Sequence, residues 1–163
     1  MVAPTVLGLF ILGHVLGAFS FYSVHRWIFH GSRKNKVIKF IFKLPLLGKL
    51  AEKGRRIHQQ HHKETIRLGR EIGNHMNLFF PLWAKLTIAS ITTIIAMVSF
   101  PLSMGLLSFF PVYAYRHNAA HLGSSKPWAR HHLHHHYKNA KVNHGGIYPI
   151  FDKIFGTHEE PKR

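Results

Sequence analysis

Residues Val2 to His30 read VAPTVLGLFILGHVLGAFSFYSVHRWIFH. No Asp, Glu, Lys or Arg occurs from Val2 to Val24, and the stretch closes on the pair His25 and His30. At 1.5 Å per residue, about 20 apolar residues cross the hydrocarbon core of a bilayer. No basic residue precedes the run and the positive charges follow it, so it reads as an uncleaved helix with its N-terminus outside, not as a signal peptide. His14 sits in the middle of this helix, eleven residues before His25 and within about 20° of it on an ideal helix, some 16 Å deeper. An ionisable residue at that depth is a candidate for lining the path of a lipid chain. The surrounding Gly13-x-x-x-Gly17 favours the plainer role of close helix packing.

Working outward, the chain alternates apolar and basic segments. Its 163 residues suit one domain, 1–163. They are 46% hydrophobic yet carry a formal net charge of +16. Arg26 to Arg70 holds 13 of the 22 Lys and Arg. Within it, Val37 to Leu50 mixes Ile38, Phe40, Ile41, Phe42, Leu46 and Leu47 with lysines, a pattern suited to lying in the membrane interface, with an ordinary amphipathic core helix as the alternative and a break or kink at Pro45. The second apolar region, Leu78 to Tyr115, has Lys85 as its only charge. It is long enough for a helical hairpin, Leu78 to Ser99 and Leu102 to Ala120, broken around Phe100, Pro101 and Gly105. One span plus a re-entrant segment is the alternative. Apart from Lys85, every Lys and Arg lies in Arg26–Arg70 or Arg116–Arg163, so three spans put both basic segments on the cytoplasmic side. The expected fold is an all-α integral membrane protein with about three transmembrane helices, an interfacial helix and a cytoplasmic helical cap, in a bacterial inner membrane or the ER. Nucleic acid is not an expected partner, because the basic residues flank apolar runs instead of forming a domain-scale basic face.

Histidine is the compositional anomaly: 16 residues, against 6 acids and no cysteine. A metal site here has to be built from imidazole, since there is no thiolate. Four clusters stand out: His25 and His30; His58, His61 and His62; His117 and His121; and the run from His131 to His136, which Leu133 interrupts. Residues three and four apart share a helix face, so His58, His61 and His62 point one way, as do His132, His135 and His136. His117 and His121 are one turn apart. His25 and His30 diverge by about 140° on an ideal helix and converge only if the helix ends or bends; Gly31 suits an ending. Ten imidazoles at one membrane boundary suffice for two ions with open positions left over, at about four to six ligands each. Neutral imidazole accepts zinc, copper, iron and nickel alike.

The ordered set HX4H, HX2HH, HX3H, HX2-3HH, complete from His25 to His136, resembles the fatty acid hydroxylase / sterol desaturase superfamily of membrane di-iron enzymes. Its neighbours Arg26 and Phe29, Lys63 after the second motif, and His121-Leu-Gly-Ser124 are similar to the branch that 2-hydroxylates fatty acyl chains of sphingolipids. The tail, Gly146-Ile147 through Phe151-Asp152 and Phe155-Gly156-Thr157, also resembles the family's end, where sterol-acting members carry a Trp in place of Phe151. The chain departs from many acyl hydroxylases in having one span before the first motif and no fused cytochrome b5 domain. Carotenoid hydroxylases form a similarly short branch, but usually place their first two motifs closer together than His30 and His58.

The resemblance implies two iron ions, which zinc can displace on purification, together with dioxygen, a lipid substrate and a separate electron donor of cytochrome b5-like or ferredoxin-like type. The product is an alcohol or, after a second hydrogen abstraction, an alkene; sterol or carotenoid chemistry is the alternative within the superfamily. Ligands under this reading are His25, His30, His58, His61, His62, His117, His121, His132, His135 and His136. His131, the rival to His132, and His134 are expected to support a ligand or face substrate. Asp152 is expected to bond a ligand imidazole or to serve as a surface acid or helix cap. His144, in a Gly-flanked turn, is expected at the surface, with gating of the site as the alternative. Arg55, Arg56 and Lys63 offer a basic surface for an acidic donor or anionic headgroups, or simply solvated charge. Two other classes remain: a zinc hydrolase, for which no His-Glu-x-x-His motif exists, and a non-catalytic metal-binding membrane protein, which would place its ligands along a path inside the spans.

Overall fold

The computed structural model describes residues 4–68 and 80–161, and all its regular structure is helical. Helix α1 spans Pro4–Ser23 and continues into a single π-helical turn, Val24–Phe29. Together they form the one described helix long and apolar enough to cross a membrane, Thr5–Phe29. Its outer side leaves Leu7, Ile11, Leu12 and Val15 exposed. Its inner side packs on α5 (Phe100–His121) in the most extensive helix pairing among the described residues. Glycine makes this approach possible: a Cβ at Gly13 would strike the Leu102 carbonyl oxygen, and one at Gly105 would strike that of Phe10. His14 is fixed in this contact, with Nδ1 2.8 Å from Ser108 Oγ and Nε2 3.2 Å from Tyr148 Oη. That geometry places His14 within the packing of α1 on α5.

Helix α2 (Lys36–Lys43) is capped by Asn35, whose side-chain oxygen accepts from the amides of Val37 and Ile38. Leu44 is extended ahead of Pro45, as a pre-proline residue must be to avoid the ring. The interfacial segment expected over Val37 to Leu50 is therefore divided between α2 and α3 (Pro45–Leu68).

Helix α4 (Leu82–Val98) is apolar but only 17 residues long. It joins α5 through the single extended residue Ser99, which ends one helix and begins the next. The break thus falls before Phe100. Pro101 sits in the first turn of α5, where its missing N–H costs no hydrogen bond. Gly105 lies inside α5, kept for close packing rather than for a turn. The start of the expected hairpin at Leu78 lies outside the described residues.

Gly123, at φ +96°, ends α5 in the left-handed conformation that glycine adopts freely. The chain then reverses into α6 (Pro127–Tyr137), and after a loop comes the short α7 (Ile150–Ile154). A buried aromatic and aliphatic cluster of Phe21, Phe109, Tyr113 and Ile147 sits between α1, α5 and that loop.

Candidate metal centre

Ten histidines on four elements converge into two sets of five. His25, His30, His58, His62 and His135 form the first; His61, His117, His121, His132 and His136 form the second. Within each set one nitrogen per ring lies within 4.8 Å of all the others.

The local backbone explains how the rings meet. His30 N–H donates to the His25 carbonyl at 3.1 Å, the i to i+5 bond of a π turn. A wider turn brings residues five apart closer to one face, so the 140° divergence of an ideal α-helix narrows. Arg55 of α3 holds this turn from outside, donating to the carbonyls of Gly31 at 2.8 Å and Ile28 at 3.3 Å. His117 and His121 need no such device, because a four-residue spacing already suits the α-helical end of α5.

On α3 and α6 the triplets share a face as expected, but each is divided. His58 and His62 enter the first set while His61 enters the second. On α6 the assignment is reversed: His132 and His136 enter the second and His135 the first. Each set therefore holds two turn-spaced pairs and one ring from the pair-bearing helix of the other.

The donor spacing matches a coordination shell. His58 Nε2 lies 3.1 Å from His25 Nε2, 2.8 Å from His30 Nε2 and 3.0 Å from His62 Nε2. His135 Nε2 lies 3.2 Å from both His30 and His62. In the second set, His61 and His117 meet at 3.2 Å, as do His121 and His132. Metal–nitrogen bonds of about 2.1 Å at right angles put neighbouring donors about 3.0 Å apart.

Two tautomers follow from the partners. His25 Nδ1 lies 2.6 Å from the His144 carbonyl and His135 Nδ1 2.7 Å from the Val142 carbonyl. A carbonyl only accepts, so each Nδ1 carries the proton and each Nε2 turns a lone pair into the cluster. In the second set, His136 is buried and no protein group among the described residues bonds either of its nitrogens. Leaving such a group bare costs stability; an ion in the set would satisfy it.

Electrostatics keep the rings ligand-competent. Burial holds His30 down at about 3 and His62 at about 4, helped by neighbouring histidines. Burial, and then the other imidazoles, push His58, His132, His135 and His136 well below the usual value. All six are neutral at pH 7, the form that binds a metal. No carboxylate joins either set among the described residues. The residues present thus fit two imidazole-ligated ions.

The remaining candidates lie outside both sets. His131 turns away from the centre and donates through Nε2 to Asp152 Oδ2 at 3.1 Å, which leaves His132 facing the second set. His134 points to Glu159. Asp152 is no surface acid: it is fully buried, and what it bonds is His131, the amides of His144 and Gly145, and Thr157 Oγ1, not a member of either set. The expectation of a surface position for His144 fails as well. Its ring is 3% exposed, 5.3 Å from the rings of His30 and His135, because the loop folds inward against α1. Sequence reading also passed over Val142, whose contribution is a backbone carbonyl and leaves no trace in residue type.

The sets differ in access. All five rings of the second are buried, while His30 and His62 of the first are half-buried. His30 and His144 line a cavity of about 380 Å³ that also touches Arg26, Trp27, Asn35 and Lys141.

A family model described as fatty acid hydroxylase matches residues 10–157. No curated protein and no solved structure matches the chain.

Proposed function

The chain belongs to the fatty acid hydroxylase family, and from that premise we propose that it is a membrane-embedded oxygenase of one domain, 1–163, acting on a lipid, with a fatty acyl chain as the first candidate. The observation that carries this reading is the convergence of ten imidazoles into two five-membered sets with donor spacings near 3 Å.

The ten histidines would hold two iron ions, and bound iron supplies the means to activate dioxygen. In the overall reaction a C–H bond becomes C–OH. One oxygen atom enters the lipid, and the other leaves as water with two protons and two electrons from a separate donor, cytochrome b5-like or ferredoxin-like. Removal of a second hydrogen in place of oxygen insertion gives an alkene, the desaturase outcome. The chain's own part is ligation, orientation and exclusion of water. Neutral rings present lone pairs. The two carbonyls at residues 142 and 144 orient two of them. Burial of the second set keeps bulk water from it.

The membrane setting rests on Thr5–Phe29 and on the exposed apolar faces of α1 and α4. Helices α4 and α5 complete a three-span arrangement, with the basic segments and the histidines on the cytoplasmic side. The neighbours of the first three motifs favour a 2-hydroxylase-like substrate over a sterol or carotenoid.

The test pairs metal analysis of the purified protein with lipid profiling of aerobic cells that express it. Two irons per chain and a new hydroxylated acyl chain are expected. A new alkene would assign desaturation, and one tightly held zinc with an unchanged lipid profile would overturn the proposal.

A further inference from the structure

The loop at residues 142–145 is where the two sets cease to be equivalent. Two of its carbonyls, Val142 and His144, receive the Nδ1 protons of His135 and His25, both in the first set. In the second set, no protein group among the described residues bonds Nδ1 of His132 or His136.

The loop is itself held from behind. Asp152, fully buried, accepts four hydrogen bonds: the His144 amide at 2.7 Å, the Gly145 amide at 2.8 Å, Thr157 Oγ1 at 2.9 Å and His131 Nε2 at 3.1 Å. All four partners are donors, so only a group with acceptors on both oxygens fits; an amide would turn an N–H₂ against an N–H. Asn143, also fully buried, takes φ +57°, tolerated best by Asn and Gly. Its side chain exchanges two hydrogen bonds of 2.9 Å with the Glu159 backbone. Because Thr157 Oγ1 donates to the carboxylate, it accepts from Tyr22 Oη at 2.9 Å, which Arg26 bonds in turn at 2.6 Å. The buried carboxylate thereby ties the tail to the end of α1 and to the π turn.

We propose that Asp152, with Asn143, is a positioning residue for one ion of the pair: it fixes the loop that orients His25 and His135, so the first ion's affinity depends on it and the second ion's does not. This rests on the two-ion reading above. Groups that orient a ligand imidazole through its second nitrogen typically contribute 10–100-fold to metal affinity.

The full chain, purified in detergent and stripped by a chelator, is titrated with Zn²⁺ alone. Two ions are expected per wild-type chain. Asp152→Asn is then placed on two backgrounds. With His121→Ala, which leaves the first set intact, it should weaken binding of the remaining ion by about 10–100-fold. With His25→Ala, which leaves the second set intact, it should change nothing. Asn143→Gly keeps the backbone conformation, removes the side-chain bonds and should act in the same direction more weakly; it serves as the probe if Asp152→Asn does not fold. Equal weakening on both backgrounds, as from a general loss of structure, overturns the proposal, and so does no change on either. Wild-type protein that takes up no zinc overturns the two-ion reading and this proposal with it. Two wild-type ions that Asp152→Asn leaves untouched overturn the positioning role alone.

Discussion

The two imidazole sets use the same donors in the same number, yet they are built differently. The second set is assembled from α-helical spacing alone: His117 with His121, His132 with His136, and His61 between them, all buried. The first needs a π turn to join His25 to His30, an arginine to clamp that turn, and a loop to orient two rings. It is also the set beside an open cavity. Regular helix geometry suffices for an enclosed site, while a site that stays accessible on one side takes its rigidity from irregular backbone. Placing strain and irregularity where reagents must approach is common at functional centres.

The comparison breaks most sharply on the ligands. His58→Ala should remove the ion of the first set and His132→Ala that of the second. Either should leave under about 1% of product formation, because the outer groups alone govern up to 100-fold in affinity. Elemental analysis should count one ion remaining in each variant; loss of both from either one would show the sets to be a single unit.

Acidity is the next lever. His30 and His62 take protons only near pH 3 and 4 in the folded metal-free chain, against about 6.5 when unfolded. Between those values the unfolded state binds more protons. Stability is therefore fully present above pH 6.5 and declines as pH falls toward 4. Thermal melts of stripped protein from pH 7.5 to 4.5 should show Tm falling only below about 6.5, with bound zinc moving the decline to lower pH. A Tm that is flat, or that rises on acidification, would contradict the buried neutral rings.

A smaller effect should separate the π turn from the rest. A Cβ at Gly31 would strike the Trp27 carbonyl oxygen and Ile38. Gly31→Ala should cost about 1–3 kcal/mol in a denaturation measurement and loosen the first ion before the second. Arg55→Met, which removes the two hydrogen bonds to the turn, should act in the same order. A variant that should spare both ions is His134→Ala: its largely buried ring faces Glu159, so metal content should stay at two ions while stability falls by about 1 kcal/mol. A lost ion there would mean that α6 presents a different face to the centre.

Much of the centre was legible in order and spacing. Eight of the ten rings, on three segments, could be named because residues three and four apart share a face whatever the rest of the chain does; His25 and His30 were named only by their place in the ordered motif set. His144 was misjudged because its burial comes from a loop folding back against α1, a contact more than a hundred residues distant in sequence. The helix break falls at Ser99, next to the expected Phe100; only Gly105 was misread, since a glycine kept for close packing reads in sequence like a glycine kept for a turn.

By itself the sequence determined what depends on local geometry and composition. That covers an apolar helix at the start, four histidine motifs in a family-specific order, and an imidazole-only donor set in a chain without cysteine. The tertiary structure decided which ring joins which ion. His61 and His62 are neighbours on one helix and enter different sets, and so do His135 and His136. A helix of given sequence presents a face, but the angle at which two helices cross determines which partner each ring on that face meets. The π turn belongs to the same level: it lets His25 and His30 meet three other rings, and Arg55 from a distant helix holds it.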